Sequence, residues 1–289
     1  MALIRVSAYA KINLFLAVGD LRPDGFHDIK TLMRRTSLCD EVEVETVADG
    51  RGDITLTAVG DEIIPTDRDN IAYRAAEKYL SFAGITDSVR IRIDKNIPVG
   101  AGLGGGSADA AATLRALERI YGALSKEKIL EIALSLGSDV PFCIFGWTAI
   151  CEGRGEVITP VTDTQRLHLV IAMKGQKVLA SEAYRLLDNA RGESSRDIDK
   201  AGEYLPELLK YLSNEGKMPT MLYNSFEFVL EEAESEVLYL KQKMKNCGAS
   251  LALMSGSGPS VFGIFPDRDS AEYCVEALRG EGIRAYYSK

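Results

Sequence analysis

Five of the seven residues from Gly100 to Gly106 are glycine, within Pro98-Val99-Gly100-Ala101-Gly102-Leu103-Gly104-Gly105-Gly106-Ser107, and an alanine-rich helical pattern follows at once. Glycine tolerates positive φ and leaves its N–H uncovered, but each one costs conformational entropy on folding. Five together are explained by an anion held against bare backbone amides. The following helix would add unpaired N–H groups and the positive end of its dipole. The chemistry is phosphate binding, and Ser107 is the first hydroxyl at the helix start.

Two charged residues could act on a phosphate held there. In the strand pattern around Lys11, alternation puts Lys11, Asn13 and Phe15 on one face and Ile12, Leu14 and Leu16 on the other. Lys11 and Asn13 either line a pocket together, or Lys11 simply snorkels from the sheet. Asp139 follows the helix stop Gly137, and Pro141 restricts Val140 to extended geometry. A carboxylate in such a turn can accept a hydroxyl proton, or can merely cap the turn. Lys95 is a strand-end lysine and Asn70 a plausible helix N-cap; His27 sits in a glycine-containing loop, where recognition groups concentrate.

The elements that carry these residues are legible from periodicity. Strands are expected at 4–8, 11–18, 41–46, 53–59 and 89–94, and a helix at 70–82. After the glycine loop come helices over 107–121 and 126–136, the second capped by Ser125 and stopped by Gly137. Beyond a composition shift at 156–166, a strand at 167–173 precedes a helix at 181–189 and a charged loop at 191–200. A long helix is expected at 224–245, then a strand at 251–254, a second glycine loop Ser255-Gly256-Ser257-Gly258-Pro259-Ser260, a strand at 261–265, a helix at 270–278 and a strand at 284–287. The C-terminal half therefore reads as a split βαβ layout, and the chain as two α+β domains, residues 1–160 and 161–289.

Composition excludes several classes. The 289 residues carry a net charge of −8, which argues against a nucleic-acid surface. Five cysteines without a CxxC pair suit free thiols, and two histidines without a ligand cluster argue against zinc. No window approaches a membrane span, and the opening residues are too poor in apolar side chains for a signal peptide, so a cytoplasmic protein is expected.

Among phosphate loops, the P-loop ending G-K-[ST] is absent. A G-x-G-x-x-G pattern is literally present at Gly100, Gly102 and Gly105, but Asn96-Ile97-Pro98 separates it from the strand, and a second helix follows where a parallel strand belongs. A protein-kinase loop would need V-A-I-K and H-R-D sequences, which are missing. The stretch Pro98–Ala111 instead closely resembles the nucleotide loop of the GHMP small-molecule kinase superfamily. Ala10-Lys11-Ile12-Asn13-Leu14 and Ser255–Phe262 match its two terminal motifs, so three ordered motifs span the chain. Arg22-Pro-Asp-Gly-Phe-His27, Asp69-Asn70-Ile71 and Gly137-Ser-Asp-Val-Pro141 make the chain most similar to the branch that phosphorylates the 2-hydroxyl of a cytidine diphosphate-linked polyol in isoprenoid synthesis. Other GHMP kinases, of mevalonate or homoserine type, and a non-catalytic GHMP-fold binding protein are the alternatives.

The resemblance implies a nucleotide-binding N-terminal domain like domain 2 of ribosomal protein S5 and a ferredoxin-like C-terminal domain. It implies ATP and Mg²⁺, small-molecule partners, no nucleic acid or membrane, and a monomer or homodimer. Asp139 would be the general base and Lys11 its partner. Pro98 to Ser107, with Asn70 and Lys95, would bind ATP, and Ser107 would touch phosphate or Mg²⁺. Asn13, Phe26, His27 and Tyr184 would hold the acceptor, with His27 reading the cytosine edge and Phe26 stacking on the ring. Two departures from the family pattern touch that end: Ala180 stands where Thr or Ser is usual, and Met33-Arg34-Arg35 where an aromatic or glutamine is common.

Overall fold

A computed structural model describes residues 1–175, 179–191, 197–230 and 236–289. The elements in chain order are β1 (Ala2–Leu21), β2 (His27–Val47), β3 (Ile54–Val59), α1 (Ile71–Ala83), β4 (Ser88–Asp94), α2 (Gly105–Tyr121), α3 (Lys126–Leu136), α4 (Val140–Phe145), β5 (Ala149–Gly153), β6 (Val157–Pro160), β7 (His168–Met173), α5 (Ala180–Arg191), α6 (Lys200–Leu212), β8 (Tyr223–Asn224), α7 (Glu227–Leu230), α8 (Glu236–Asn246), β9 (Leu251–Met254), β10 (Val261–Phe265), α9 (Arg268–Gly280) and β11 (Arg284–Ser288). One sheet has the order β3-β4-β2-β1-β8, with β5 on β2 and β6 on β5; the other has the order β11-β7-β10-β9.

The chain divides into two compact units by its contacts. Unit 1 comprises Met1–Lys11, Leu38–Val99 and Gly104–Gly146; unit 2 comprises Ile12–Ser37, Gly100–Leu103 and Trp147–Lys289. This interleaved partition differs from a single cut at residue 160, because β1, β2 and the glycine loop each contribute residues to both units.

In unit 1 the C-terminal part of β2 pairs antiparallel with β4, from Glu41 opposite Asp94 to Val47 opposite Ser88, and β3 adds in parallel. Val89, Ile91 and Ile93 of β4 are buried while Arg90 and Arg92 face water, the period-2 pattern of a sheet with one covered face. The covering helices are α1, through Ala72, Ala75, Ala76, Tyr79 and Leu80, and α2, whose run from Ala108 to Leu114 is buried throughout. Small alanines let these helices approach closely, and α2 is consequently the central helix of the unit.

In unit 2, β5 pairs antiparallel with the start of β2, and β8 lies parallel to β1 with Phe15 opposite Tyr223. The second sheet is antiparallel throughout. Taken in chain order its strands lie fourth, first, third, second across the sheet, which is the ferredoxin-like split βαβ topology. Val170, Ala172, Val261 and Phe265 from the sheet meet Leu240, Met244, Ala271, Cys274 and Leu278 from α8 and α9 in one core.

Several expected elements differ. Strands read at 4–8 and 11–18 are one continuous β1, and β2 begins at His27 rather than near residue 41. Helix α2 begins at Gly105, two residues before the alanine pattern, because close packing at Gly105 overrides its poor propensity. The long helix read over 224–245 is β8, α7 and α8 where described; residues 231–235 lie outside the described residues. The charged loop read over 191–200 falls partly outside them too, and α6, with Ala201, Leu205, Leu208 and Leu212 buried at helical spacing, was masked in the sequence by Pro206.

Candidate active site

Every residue of β1 from Lys11 to Val18 is buried, so this part of the strand has two covered faces. A buried ammonium is costly without a partner. In unit 1 that partner is Asp139: Lys11 Nζ lies 3.4 Å from Asp139 Oδ2, with the lysine side chain 5% exposed and the aspartate 29%. The pair is therefore sealed on the ammonium side and open on the carboxylate side.

Asp139 occupies the N-cap position of α4, yet its own backbone is helical (φ −83°, ψ −15°) and its side chain makes no capping hydrogen bond. The turn-cap reading is thus not how this carboxylate is used. Val140 is not extended, as Pro141 suggested; it is the first residue of α4. Pro141 is tolerated in the first turn because its missing N–H would have no helical acceptor there.

Gly104, where the glycine run enters unit 1, lies against this pair. Gly100, Gly102 and Gly104 have φ of +67°, +75° and +70°. They alternate with Ala101 and Leu103, both buried, which pin the loop. Alternation of left-handed and ordinary residues turns successive N–H groups to one side, the geometry of an anion nest. Gly104 is also the N-cap of α2, so no cap side chain claims the helix's first-turn amides. A Cβ at Gly104 would lie 3.1 Å from Lys11 Cγ, 3.2 Å from Lys11 Cε and 3.7 Å from Asp139 Oδ2. The absence of a side chain there is what lets Gly104 and the start of α2 lie against the Lys11–Asp139 pair.

Ser107 is in the first turn of α2, and its hydroxyl lies 4.0 Å from where a Cβ on Gly137 would be, beside the turn that carries Asp139. Asn70 is the N-cap of α1: its Oδ1 accepts from Ala72 N at 2.9 Å and its Nδ2 donates to Pro65 O at 2.8 Å, so both ends of its amide serve the local fold. Lys95 directs Nζ inward to Asp40 and Asp109. Pro98 is buried and Val99 N donates to Glu62 Oε1 at 3.3 Å. Gly105 and Gly106 open α2, where a Cβ on Gly106 would meet Ile71 at 3.6 Å.

In unit 2, the second glycine loop packs on Gly102. A Cβ there would collide with Ser255 O and reach Gly258 O at 3.1 Å, and Ser255 Oγ donates to Gly102 O at 3.2 Å. Asn224 holds that second loop by donating to Met254 O and Gly256 O at 2.8 and 2.9 Å. The Ser255–Ser260 motif therefore packs against the glycine loop at Gly102.

The remaining residues read from the sequence also lie in unit 2. Asn13 Nδ2 donates to Thr31 Oγ1 at 2.8 Å. His27 stacks on Tyr184 with centroids 4.8 Å apart and 18° between planes, and its Nε2 lies 2.8 Å from Asp188 Oδ1. Phe26 is 44% exposed and lies under the Arg154 guanidinium, 3.5 Å from the ring centroid. Sequence reasoning missed Asp188 and Arg154. Asp188 had a signal, since it stands four residues after Tyr184 on one helix face; Arg154 had none. The Met33-Arg34-Arg35 departure is structural: Met33 is core, and Arg34 pairs with Asp163 at 2.9 Å.

A family model described as GHMP kinases N terminal domain matches residues 70–147, and one described as GHMP kinases C terminal matches residues 205–284. The chain is 38% identical to a 4-diphosphocytidyl-2-C-methyl-D-erythritol kinase of Geobacter metallireducens, over 96% of this chain and 95% of the relative. It is also 38% identical to the kinase of that name in Alkaliphilus metalliredigens, over 96% and 93%. A crystal structure of 4-(cytidine 5'-diphospho)-2C-methyl-D-erythritol kinase superposes with a TM-score of 0.81 at 35% identity, covering 99% of this chain and 98% of that one. Homoserine kinase from Cytophaga hutchinsonii shares the fold, with a TM-score of 0.72 at 18% identity over 100% of this chain and 95% of that one.

Proposed function

Since the chain belongs to the GHMP kinases, we infer that it transfers the γ-phosphoryl group of ATP to the 2-hydroxyl of 4-diphosphocytidyl-2-C-methyl-D-erythritol, a step of the non-mevalonate isoprenoid pathway. The observation that carries the mechanism is the Lys11–Asp139 pair, open on the carboxylate side and backed by Gly104.

Phosphoryl transfer to an alcohol needs alignment, charge stabilisation and a destination for the hydroxyl proton. Asp139 takes that proton as the hydroxyl oxygen bonds to the γ-phosphorus and the bond from that phosphorus to the ADP oxygen breaks. Lys11 places positive charge beside the oxygen as it loses its proton. The amides of the loop from Pro98 to Ser107, with the N-terminus of α2, hold the triphosphate. Asn70 and Lys95 lie on the nucleotide side through the backbone they anchor. Asn13, Phe26, His27 and Tyr184 belong to the acceptor side, where the His27–Asp188 contact fixes the ring that reads the cytosine edge.

Among the described residues no cluster of three or more His, Cys, Asp or Glu could hold a metal. The Ser107 hydroxyl beside the Asp139 turn fits Mg²⁺, which keeps much of its shell from water and phosphate oxygens. Ser107 would hold it, and bound there it would neutralise triphosphate charge. The partition into residues 1–160 and 161–289 is part of the same reading, as a division along the chain with one matched family model on each side of it.

The test is ATP consumption by the purified protein with 4-diphosphocytidyl-2-C-methyl-D-erythritol, mevalonate or homoserine as acceptor. Turnover with the first alone is expected. Turnover only with another alcohol would overturn the substrate, and none with any would overturn the kinase reading.

A further inference from the structure

Lys95 stands at the end of β4, where the chain turns into the glycine loop, and its side chain is 5% exposed. Its ammonium donates to Asp40 Oδ2 and, at 2.9 Å, to Asp109 Oδ2. Asp40, fully buried on β2, uses its other oxygen to accept from Asn96 N at 2.6 Å and Ile97 N at 2.8 Å. One carboxylate thus grips the three consecutive residues that lead into the loop. Asp109 lies one turn into α2, the helix that the loop opens. A Cβ at Gly105 would meet Ile97 Cγ2 at 3.0 Å and Lys95 Nζ at 3.3 Å, so the first turn of α2 rests directly on the entry segment.

The cluster is costly as a purely structural feature. Three ionisable groups are removed from water where apolar side chains could fill the volume at least as well. Asp109 Oδ1 is buried with no hydrogen-bond partner among the described residues, and such an orphan calls for an explanation. The other oxygen, Oδ2, shows what holds the residue in place: the shared ammonium ties the residues before the loop to the helix after it, which fixes the separation of the loop's two ends. Loop amides that must point at a triphosphate gain from being placed before the ligand arrives.

We propose that Asp40 and Asp109 are positioning residues for nucleotide binding: acting through Lys95, they lock the entry segment Lys95–Ile97 against the first turn of α2 and so preorganise the phosphate loop. The proposal rests on the reading of that loop as the ATP site. Both carboxylates act through the Lys95 ammonium and not on the substrate itself.

The experiment measures KM for ATP, KM for the cytidine-linked acceptor, kcat and thermal melting for wild type, Asp109→Ala and Asp109→Asn. Asp109→Ala is expected to raise the KM for ATP at least fivefold while the acceptor KM stays within twofold. Asp109→Asn keeps an acceptor for Lys95 and is expected within twofold of wild type throughout. A folded Asp109→Ala with an unchanged KM for ATP, or with both KM values raised together, would overturn the proposal. Should Asp109→Ala not fold, amide exchange on the unaltered protein decides: Asn96 and Ile97 exchange slowly without nucleotide if the clamp is preformed, and fast exchange that slows only with ATP overturns it. A wild-type protein that does not consume ATP defeats the kinase reading instead, before any variant is made.

Discussion

Lys11 Nζ lies 3.4 Å from Asp139 Oδ2, joining a residue in the middle of β1 to one at the threshold of α4. The contact is longer than a hydrogen bond of good geometry. It leaves the carboxylate oxygen available to a third group, which in the proposed reaction is the acceptor hydroxyl.

Asp139→Asn tests this use of the carboxylate. The amide preserves shape but cannot take up the hydroxyl proton, and general-base loss typically costs about 10²–10⁴ in rate. Turnover is expected to fall by at least two orders of magnitude while binding of an ATP analogue, followed by calorimetry, is retained. A variant within about tenfold of wild type, roughly 1.4 kcal/mol of barrier, would contradict the base assignment.

Gly104→Ala tests the approach of the loop to the pair. At φ +70° an alanine pays about 1–2 kcal/mol for the left-handed conformation. Its methyl would also press on Lys11 from 3.1 Å. Displacing a catalytic group by a fraction of an ångström can cost far more in rate than in stability. A fall in kcat of about tenfold or more is expected in a protein that still melts cooperatively. An unchanged kcat would show that the loop does not set the position of Lys11.

Much of this was legible in the sequence, and the failures have physical causes. The glycine run pointed to phosphate binding because glycine at such density has few other uses, whereas Lys11 and Asp139 each had a bland reading and were singled out only by the family resemblance. The strands β9 and β10 and helix α3 have the ranges that periodicity gave them. Residues 28–40 were not readable as strand because His27–Val47 is buried on both faces in places, which erases the alternation. Helix α6 was hidden by Pro206, which sits inside it. The Asp40–Lys95–Asp109 cluster was invisible for a different reason. Lys95 is 55 residues from Asp40 and 14 from Asp109 in the chain, and only the fold brings their charges together.

Arg34 and Asp163 make a part-buried pair, which is structural. Arg34 donates to Asp163 Oδ1 at 3.0 Å and to Gln165 O at 2.7 Å, and Thr148 donates to Asp163 Oδ2 at 2.6 Å. Burial pulls the guanidinium below its ordinary range in spite of the carboxylate. Asp163→Ala would strand that cation, a loss of about 3–5 kcal/mol. Denaturant unfolding should show this, and Asp163→Ala combined with Arg34→Met should recover much of it. The KM values for both substrates should stay at wild-type levels. A single variant as stable as wild type would mean that water reaches the guanidinium.

Asp109 makes stability depend on pH with a definite sign. Burial, reinforced by the charge of Asp40 and opposed by Lys95, pushes its carboxyl up to about 8, against about 3.9 for an unperturbed aspartate. Between those values the folded protein holds a proton that the unfolded chain has lost, so folding takes one up. The contribution of Asp109 is therefore greatest below about pH 4 and declines as pH rises, by up to about 1.4 kcal/mol per unit, levelling off above about pH 8. Asp109→Asn cannot ionise and should lack this component. Unfolding free energies of wild type and variant at pH 5, 6 and 7 should diverge, with the variant gaining on wild type at each step. Parallel curves would mean that the folded protein holds Asp109 ionised across this range, with Lys95 compensating both carboxylates.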